Sequence, residues 1–168
     1  MSRANRSRTL HSEAVKGCAV VESAGNDKFA RRMCDPHVAS DTRTVADFIA
    51  IYCKKHHADR SRSAATTSAA LIGVYGTKTP VVCEECEAHL AYAEKRRAYC
   101  PKDPKPFCAH CDTHCYSTAE SEWQRQMMRF SGPRSMFHGH AIDGIKHALE
   151  ARKYAKQARE AAAGGSNN

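Results

Sequence analysis

The feature that most constrains this 168-residue chain is a cluster of cysteines near its centre. Six of the nine cysteines follow the order Cys83-x-x-Cys86, Cys100, Cys108-x-x-Cys111-x-x-x-Cys115. A thiolate is a soft metal ligand, and two thiolates three positions apart can bind one ion from a single turn of the chain. Two such pairs about 25 residues apart match the spacing of a four-cysteine metal site. The cluster therefore predicts a metal-binding protein.

The length of the chain limits how stable it can be without a metal. Both ends look unable to contribute to a core, so we expect an ordered part of roughly 110 residues, which supports only a marginal core. A structural metal contributes roughly 10 kcal/mol or more at neutral pH, against a net folding free energy of about 5–15 kcal/mol. Metal binding and folding are therefore expected to form one thermodynamic unit.

The sequence predicts neither a secretory signal nor a membrane span. Residues 1–10 are rich in Arg and Ser and lead into no apolar run. No stretch reaches the roughly 18–20 apolar residues that cross a bilayer. We therefore expect a cytoplasmic protein with no membrane partner, whose cysteines are thiols rather than disulfides in a reducing compartment.

The formal net charge of +8 has two interpretations. One is attraction to nucleic acid, whose phosphates bind basic surfaces. The other is that the basic residues are spread over tails and helix surfaces, and that metal-bound thiolates offset part of their charge. Nucleic acid therefore stays an alternative partner, and no protein partner is indicated.

Hydrophobic periodicity predicts an all-α protein, a small domain of about four helices organised around the cysteine-rich metal site, with disordered tails. Caps and breakers set the expected ends of the helices. The helices are expected, in order, from Asp41 or Thr42 to His57, over about residues 83–99, from a capping box at Ser117 to Gly132-Pro133, and over about residues 140–161.

The remaining segments lack such periodicity. Residues 59–80 are rich in Ser, Thr and Ala and are interpreted as a linker or surface insertion. Cys18 and Cys34 lie in a polar N-terminal stretch and are predicted to be free thiols. The predicted organisation is a disordered or loosely attached extension (residues 1–40), a cysteine-rich helical metal-binding domain (residues 41–150), and a polar helix end with a flexible tail (residues 151–168).

Two metal centres fit the cysteine spacing. A structural zinc ion needs four ligands, and the two Cys-x-x-Cys pairs would suffice. An iron–sulfur cluster also takes four, and the triplet from Cys108 to Cys115 resembles part of a ferredoxin spacing, with Cys100, Cys53 or one of the first pair as the fourth ligand. Because zinc leaves more thiols unexplained, the surplus favours an iron–sulfur cluster, of the [4Fe–4S] type.

Histidines accompany the cysteines at two places. His56 and His57 follow Cys53 at a predicted helix end, where the helix dipole also favours them, and Cys53-x-x-His56 could supply ligands. His110 and His114 flank the cysteines of the triplet. We expect His114 to hydrogen-bond a sulfur and His110 to face solvent.

Six short motifs stand in order along the chain. They are Ile51-Tyr52-Cys53-Lys54-Lys55-His56-His57, Cys83-Glu84-Glu85-Cys86, Cys100-Pro101, Lys105-Pro106-Phe107-Cys108-Ala109-His110-Cys111, His114-Cys115-Tyr116 and Met128-Arg129-Phe130-Ser131-Gly132-Pro133-Arg134. Together they resemble the nitrous oxide-stimulated promoter family over roughly residues 42–149, apart from residues 59–80. The resemblance implies a small bacterial cytoplasmic protein whose gene responds to nitrogen oxides, with a role in nitrosative stress.

The resemblance also implies a set of metal ligands, and it leaves out Cys18 and Cys34. Asp112 and Ala141 stand where the family pattern leads us to expect proline, which affects the shape of the loop and not the ligand set. The expected ligands are Cys53, Cys83, Cys86, Cys100, Cys108, Cys111 and Cys115.

The sequence indicates two candidate functions. The first is an iron–sulfur protein that meets nitric oxide as a sensor, a sink or a repair partner. The second is a structural zinc module that serves interaction, with nucleic acid as a candidate partner. Catalysis is not favoured, because the sequence has no Gly-rich nucleotide loop, no Ser/His/Asp order and no HExxH helix.

Overall fold

The structure, a computed structural model, describes residues 28–102, 108, 111–135, 152 and 156. Within these residues it contains five helices of four residues or more and two short strands. The helices are α1 (Lys28–Met33), α2 (Pro36–His56), α3 (Ser68–Leu71), α4 (Glu84–Ala98) and α5 (Thr118–Ser135), and the strands are β1 (Ser63–Ala64) and β2 (Val81–Val82). The prediction of a small helical domain is confirmed.

Helix α2 begins earlier than the sequence analysis predicted. The side chain of Asp35 accepts hydrogen bonds from the backbone N–H of Val38 (3.1 Å) and from that of the preceding residue (2.8 Å). Pro36 occupies the first turn, where a missing N–H leaves no hydrogen bond unmade. The start predicted at Asp41 or Thr42 was wrong, because Asp35-Pro36 already forms the helix cap.

The described part of the N-terminal stretch, residues 28–40, is helical and packs into the domain. Phe29 and Met33 of α1 and Val38 of α2 are buried. Cys34, which follows α1, is disulfide-bonded, so the prediction of a free thiol there was wrong. Every other described cysteine is free, so the cysteine bonded to Cys34 lies outside the described residues. Helix α1 fixes Cys34 beside the core, whereas the prediction had assumed a loose tail.

One buried carboxylate holds the segment of residues 59–80 against α4. Glu94 accepts hydrogen bonds from the hydroxyls of Thr67 (2.5 Å) and Tyr75 (2.6 Å) and from the backbone N–H of Ala69 (3.1 Å). A buried carboxylate without such partners would be strongly unfavourable. The segment interpreted as a linker or surface insertion is therefore tied to the core by hydrogen bonds.

A two-residue antiparallel pairing closes the ends of the same segment. Ser63 lies opposite Val82, and Ala64 lies opposite Val81. The all-α prediction included no strand, since a pairing this short shows no alternating pattern. Strand β2 leads directly to Cys83, so the pairing positions the start of α4.

The core lies between α2, α4 and α5. Ile49, Leu90 and Met127, one from each helix, are fully buried. Near the end of α5 the hydroxyl of Ser131 donates a hydrogen bond to the carbonyl oxygen of Phe48 at 2.7 Å. This bond fixes the two helices against each other, and the packing sets the end of α2 beside the start of α4.

Helix α5 starts where the sequence predicted and ends later. The side-chain oxygen of Ser117 accepts a hydrogen bond from the backbone N–H of Glu120 at 3.3 Å, as expected of the capping box. The helix continues through Gly132 and Pro133 to Ser135, so the predicted end at Gly132-Pro133 was wrong. Proline removes a backbone donor, and within this last turn the hydroxyl of Ser135 donates a hydrogen bond to the carbonyl oxygen of Gly132 at 2.7 Å.

The fourth helix, predicted over residues 140–161, and the tail predicted over residues 151–168 lie outside the described residues, apart from Arg152 and Lys156, which are helical. In the part of the chain that the structure describes, no helix is both long and apolar enough to cross a membrane.

Candidate metal centre

The end of α2 supplies the first two side chains of the site. Cys53 lies in the last turn of α2, and His57 is the residue that caps it, with its backbone N–H bonded to the carbonyl oxygen of Cys53 at 2.9 Å. Residues four apart on a helix project from the same face. The local helix therefore places the Cys53 sulfur and the His57 ring side by side.

The start of α4 supplies the other two side chains of the site. Cys83 has an extended backbone and is the N-terminal cap of α4, and Cys86 lies in the first turn. Unpaired backbone N–H groups at this end of a helix favour anionic ligands and thiolates. The Cys-x-x-Cys spacing, wrapped around the start of α4, points both sulfurs toward the end of α2.

The four side chains converge on a small volume. Their ligand atoms (Sγ of Cys53, Cys83 and Cys86, and a ring nitrogen of His57) all lie within 4.8 Å of one another. His57 Nδ1 is 3.3 Å from the sulfur of Cys83 and 3.2 Å from that of Cys86. We call this group the Cys3His site. All four residues are buried, with Cys53 and Cys86 fully excluded from solvent and His57 9 % exposed.

Burial and crowding oppose ionisation of two of the three thiols. Burial raises the pKa of Cys53. Burial, followed by the negative charge of the neighbouring Cys53, raises the pKa of Cys86. Burial also acts on Cys83, but hydrogen bonds from the backbone N–H of Cys86 and from nearby groups outweigh it and lower the pKa of Cys83. A bound cation would supply the positive charge that three neighbouring thiolates lack.

The donor set fits one tetrahedral metal ion. A metal–sulfur bond of about 2.3 Å places the sulfurs of a tetrahedral site roughly 3.8 Å apart, within the span of the Cys3His site. Three cysteines and one histidine are a ligand combination typical of structural zinc. These residues could therefore hold a metal with little movement of the backbone.

Aromatic rings cover the histidine of the site. Tyr52 meets the ring of His57 edge-on at 5.9 Å and stacks on the ring of His56 at 4.3 Å. Trp123 and Phe130 of α5 meet Tyr52 edge-on at 5.6 and 5.9 Å. Tyr52 therefore packs between the His57 ring and α5.

A charged pair lies at the edge of the site. Arg60 forms an ion pair with Glu85, the residue between the two cysteines of α4, and both side chains are about half exposed. A hydrogen bond from Arg60 contributes to the lowered pKa of Cys83. The site thus carries one cation close to its thiols before any metal is considered.

The structure brings together three of the seven cysteines expected as ligands and separates the other four from them. Cys53, Cys83 and Cys86 belong to the Cys3His site. The four others lie near the end of α4 and the start of α5, and we call them the second cysteine group: Cys100, Cys108, Cys111 and Cys115. Among the described residues, the Cys3His site is the one group of three or more ligand atoms that all lie within 4.8 Å of one another.

Sequence reasoning missed His57 as a partner of the cysteines. It considered Cys53-x-x-His56, but the ring of His56 turns outward onto Tyr52. The sequence feature that could have identified His57 is its four-residue spacing from Cys53, which keeps both side chains on one helix face. His114 is exposed, with a left-handed backbone (φ 37°), and His110 lies outside the described residues.

Comparison with known proteins supports the family resemblance. The sequence profile of the nitrous oxide-stimulated promoter family matches residues 36–160. A protein of Escherichia coli (strain K12), named "Uncharacterized protein YgbA", is 34% identical over 87 residues, which cover 49% of this chain and 74% of the relative. No solved structure matches the chain.

Proposed function

Because the chain belongs to the nitrous oxide-stimulated promoter family, we propose that it is a metal-binding protein of the bacterial response to nitrosative stress. The Cys3His site is its proposed metal centre, with one tetrahedral ion, zinc in the first place. The observation that carries this proposal is the convergence of four buried ligand atoms within 4.8 Å of one another.

Zinc is preferred at this site for a geometric reason. An iron–sulfur cluster distributes its protein ligands over separate iron atoms, so its ligand sulfurs lie farther apart than those around one ion. The close spacing of the Cys3His site supports a single ion, and its imidazole ligand suits zinc. The iron–sulfur cluster that the sequence favoured stays the second candidate, supported by the number of thiols in the whole chain.

The proposed ion joins two helices that are far apart in sequence. Cys53 and His57 belong to the end of α2, and Cys83 and Cys86 to the start of α4. When bound, the metal would hold these two ends together and offset the thiolate charge. Loss of any ligand therefore loosens the packing of α2 against α4, which couples the chemistry of the site to the stability of the fold.

The thiolates provide a route for nitrogen oxides to act on the site. A thiolate sulfur is nucleophilic. When it attacks the nitrogen of an S-nitrosothiol, a new S–N bond forms at the protein, the S–N bond of the donor breaks, and the donor leaves as a thiolate. The protein sulfur becomes uncharged and is a poorer metal ligand. We therefore expect nitrosation to release the metal and to loosen the α2–α4 contact.

Metal analysis of protein isolated without oxygen tests the proposal. One zinc per chain that depends on Cys86, and that S-nitrosoglutathione releases in proportion to S-nitrosation, would support it. S-methylglutathione, which has neither a nitroso group nor a disulfide, serves as the matched control and should release none on the same time scale. Protein that is isolated metal-free, and whose helicity and melting do not change when zinc is added, would refute the proposal.

A further inference from the structure

We propose that the second cysteine group, Cys100, Cys108, Cys111 and Cys115, is a separate metal centre with four thiolate ligands, located between the end of α4 and the start of α5. The Cys3His site does not use these four cysteines. All four are free, and they come from three short stretches of chain that hydrogen bonds and one ion pair connect to each other or to α4.

The backbone at Cys100 is held in place by an arginine from α1. The side chain of Arg32 donates hydrogen bonds to the carbonyl oxygens of Ala98 (3.0 Å) and Cys100 (3.4 Å). These bonds cap the end of α4 and tie it to α1. Cys100 therefore has a defined position on the structured part of the domain.

An ion pair brings the stretch around Cys111 to the stretch around Cys100. Lys102 Nζ lies 2.7 Å from Asp112 Oδ1, and each of these residues is within two positions of a cysteine. The backbone N–H of Cys111 donates to the carbonyl oxygen of Cys108 at 3.4 Å. This bond holds the backbones of two cysteines of the group close together.

A second set of contacts holds the chain that follows Cys115 against the middle of α4. The backbone N–H of Ser117 donates to the hydroxyl of Tyr92 at 3.0 Å, and the rings of Tyr92 and Tyr116 meet at 5.4 Å. His114 has a left-handed backbone (φ 37°), a conformation that non-glycine residues seldom adopt. The resulting turn redirects the chain between Cys111 and Cys115.

The ligand chemistry follows from the four thiols of the group. Four thiolates select thiophilic metals, and both zinc and iron–sulfur clusters are bound in this way. Cys100, Cys111 and Cys115 are partly buried and Cys108 is exposed, so this centre is more open to solvent than the Cys3His site. The sulfurs are also less tightly grouped than in the Cys3His site, so metal binding would draw the loop together.

The test compares metal content in full-length proteins purified without oxygen. The wild-type protein should contain two centres per chain, measured as two zinc ions or as zinc together with iron and acid-labile sulfide. The double variant Cys111→Ser/Cys115→Ser should lose one whole centre and keep the other, along with its helical circular dichroism. His114→Asn and Thr113→Ala, in the same turn, are matched controls and should keep both centres.

The two metals are distinguished by colour and sulfide. A brown protein, whose visible absorbance and sulfide disappear in the double variant, identifies an iron–sulfur cluster in the second cysteine group. A colourless protein that loses one of two zinc ions identifies a zinc site. Both results support the proposal, whereas unchanged metal content in the double variant overturns it.

The variants Cys86→Ser and Cys111→Ser/Cys115→Ser show whether the Cys3His site, the second cysteine group or both bind metal. If only the Cys3His site binds metal, Cys86→Ser removes all of it and the double variant removes none. If only the second cysteine group binds metal, the double variant removes it and Cys86→Ser leaves it unchanged. The two variants together therefore assign each bound metal to its site.

Discussion

The backbone N–H of Cys83 donates a hydrogen bond to the sulfur of Cys53 at 3.2 Å. The bond joins Cys83, the N-terminal cap of α4, to Cys53 in the last turn of α2, and the two residues are 30 positions apart in the sequence. An N–H donor favours the charged form of a sulfur, which is the form that binds metal. The backbone of Cys83 thus favours the metal-binding form of the Cys53 sulfur, and both residues belong to the Cys3His site.

The two adjacent histidines should respond differently to mutation. His57→Ala removes a ligand, so we expect zinc affinity to fall by at least about tenfold, since even the loss of a residue that only supports a ligand costs 10- to 100-fold. His56→Ala should leave affinity within about twofold, because the His56 ring is exposed and stacks on Tyr52. Competition with a chromophoric zinc chelator measures both values.

The variant His57→Cys completes this comparison. It replaces the imidazole with a fourth thiolate and should keep zinc bound, as four-cysteine zinc sites do. Equal zinc affinity in the His57→Ala and His56→Ala variants would show that His57 is not a ligand.

Metal removal should destabilise the whole domain. The Cys3His site joins α2 to α4, so a chelator should lower the free energy of unfolding by several kcal/mol and lower the melting temperature accordingly. Circular dichroism melting with and without chelator, under reducing conditions, measures the change. Adding the chelator to His57→Ala should have a much smaller effect, and an unchanged wild-type melting curve would contradict a structural metal.

Glu94 should make stability depend on pH in a defined direction. Burial raises its pKa above the usual value of 4.5, so the folded state holds the proton over a range in which the unfolded state has lost it. Its contribution to stability is therefore full below about pH 4.5 and decreases as the pH rises toward the folded-state pKa.

The non-titrating variant Glu94→Gln isolates this effect. The free energy of unfolding of the wild type minus that of Glu94→Gln should decrease from about pH 4.5 upward, as measured by urea titration at several pH values. A difference that increases with pH over this range would mean that the hydrogen bonds from Thr67, Tyr75 and Ala69 outweigh burial.

The neighbouring methionines of α5 should differ in their effect on stability. Met127 is fully buried between the helices, so Met127→Ala should cost about 2–5 kcal/mol by leaving a cavity. Met128 is 38 % exposed, and Met128→Ala should change stability by no more than about 0.5 kcal/mol. Urea unfolding of the metal-bound variants measures both, and similar losses would show that α5 is not docked as described.

Local sequence signals were sufficient for the helices and for some of the ligands. Hydrophobic periodicity before His57 and the capping box at Ser117 predicted helices that the structure contains, because helical period and caps depend on near neighbours. The Cys83-x-x-Cys86 pair was identified in the same way. The start of α2 was missed because Asp35-Pro36, a local cap, was assigned to a loose tail.

The grouping of the cysteines was decided by the tertiary structure. Spacing alone paired Cys83 and Cys86 with Cys108 and Cys111, as one site along the chain. Packing of α2 against α4 instead brings Cys53 and His57 to that first pair, and it leaves the second cysteine group at the other end of α4. Sequence distance does not report which helix ends meet, since that depends on the long-range burial of residues such as Ile49 and Leu90.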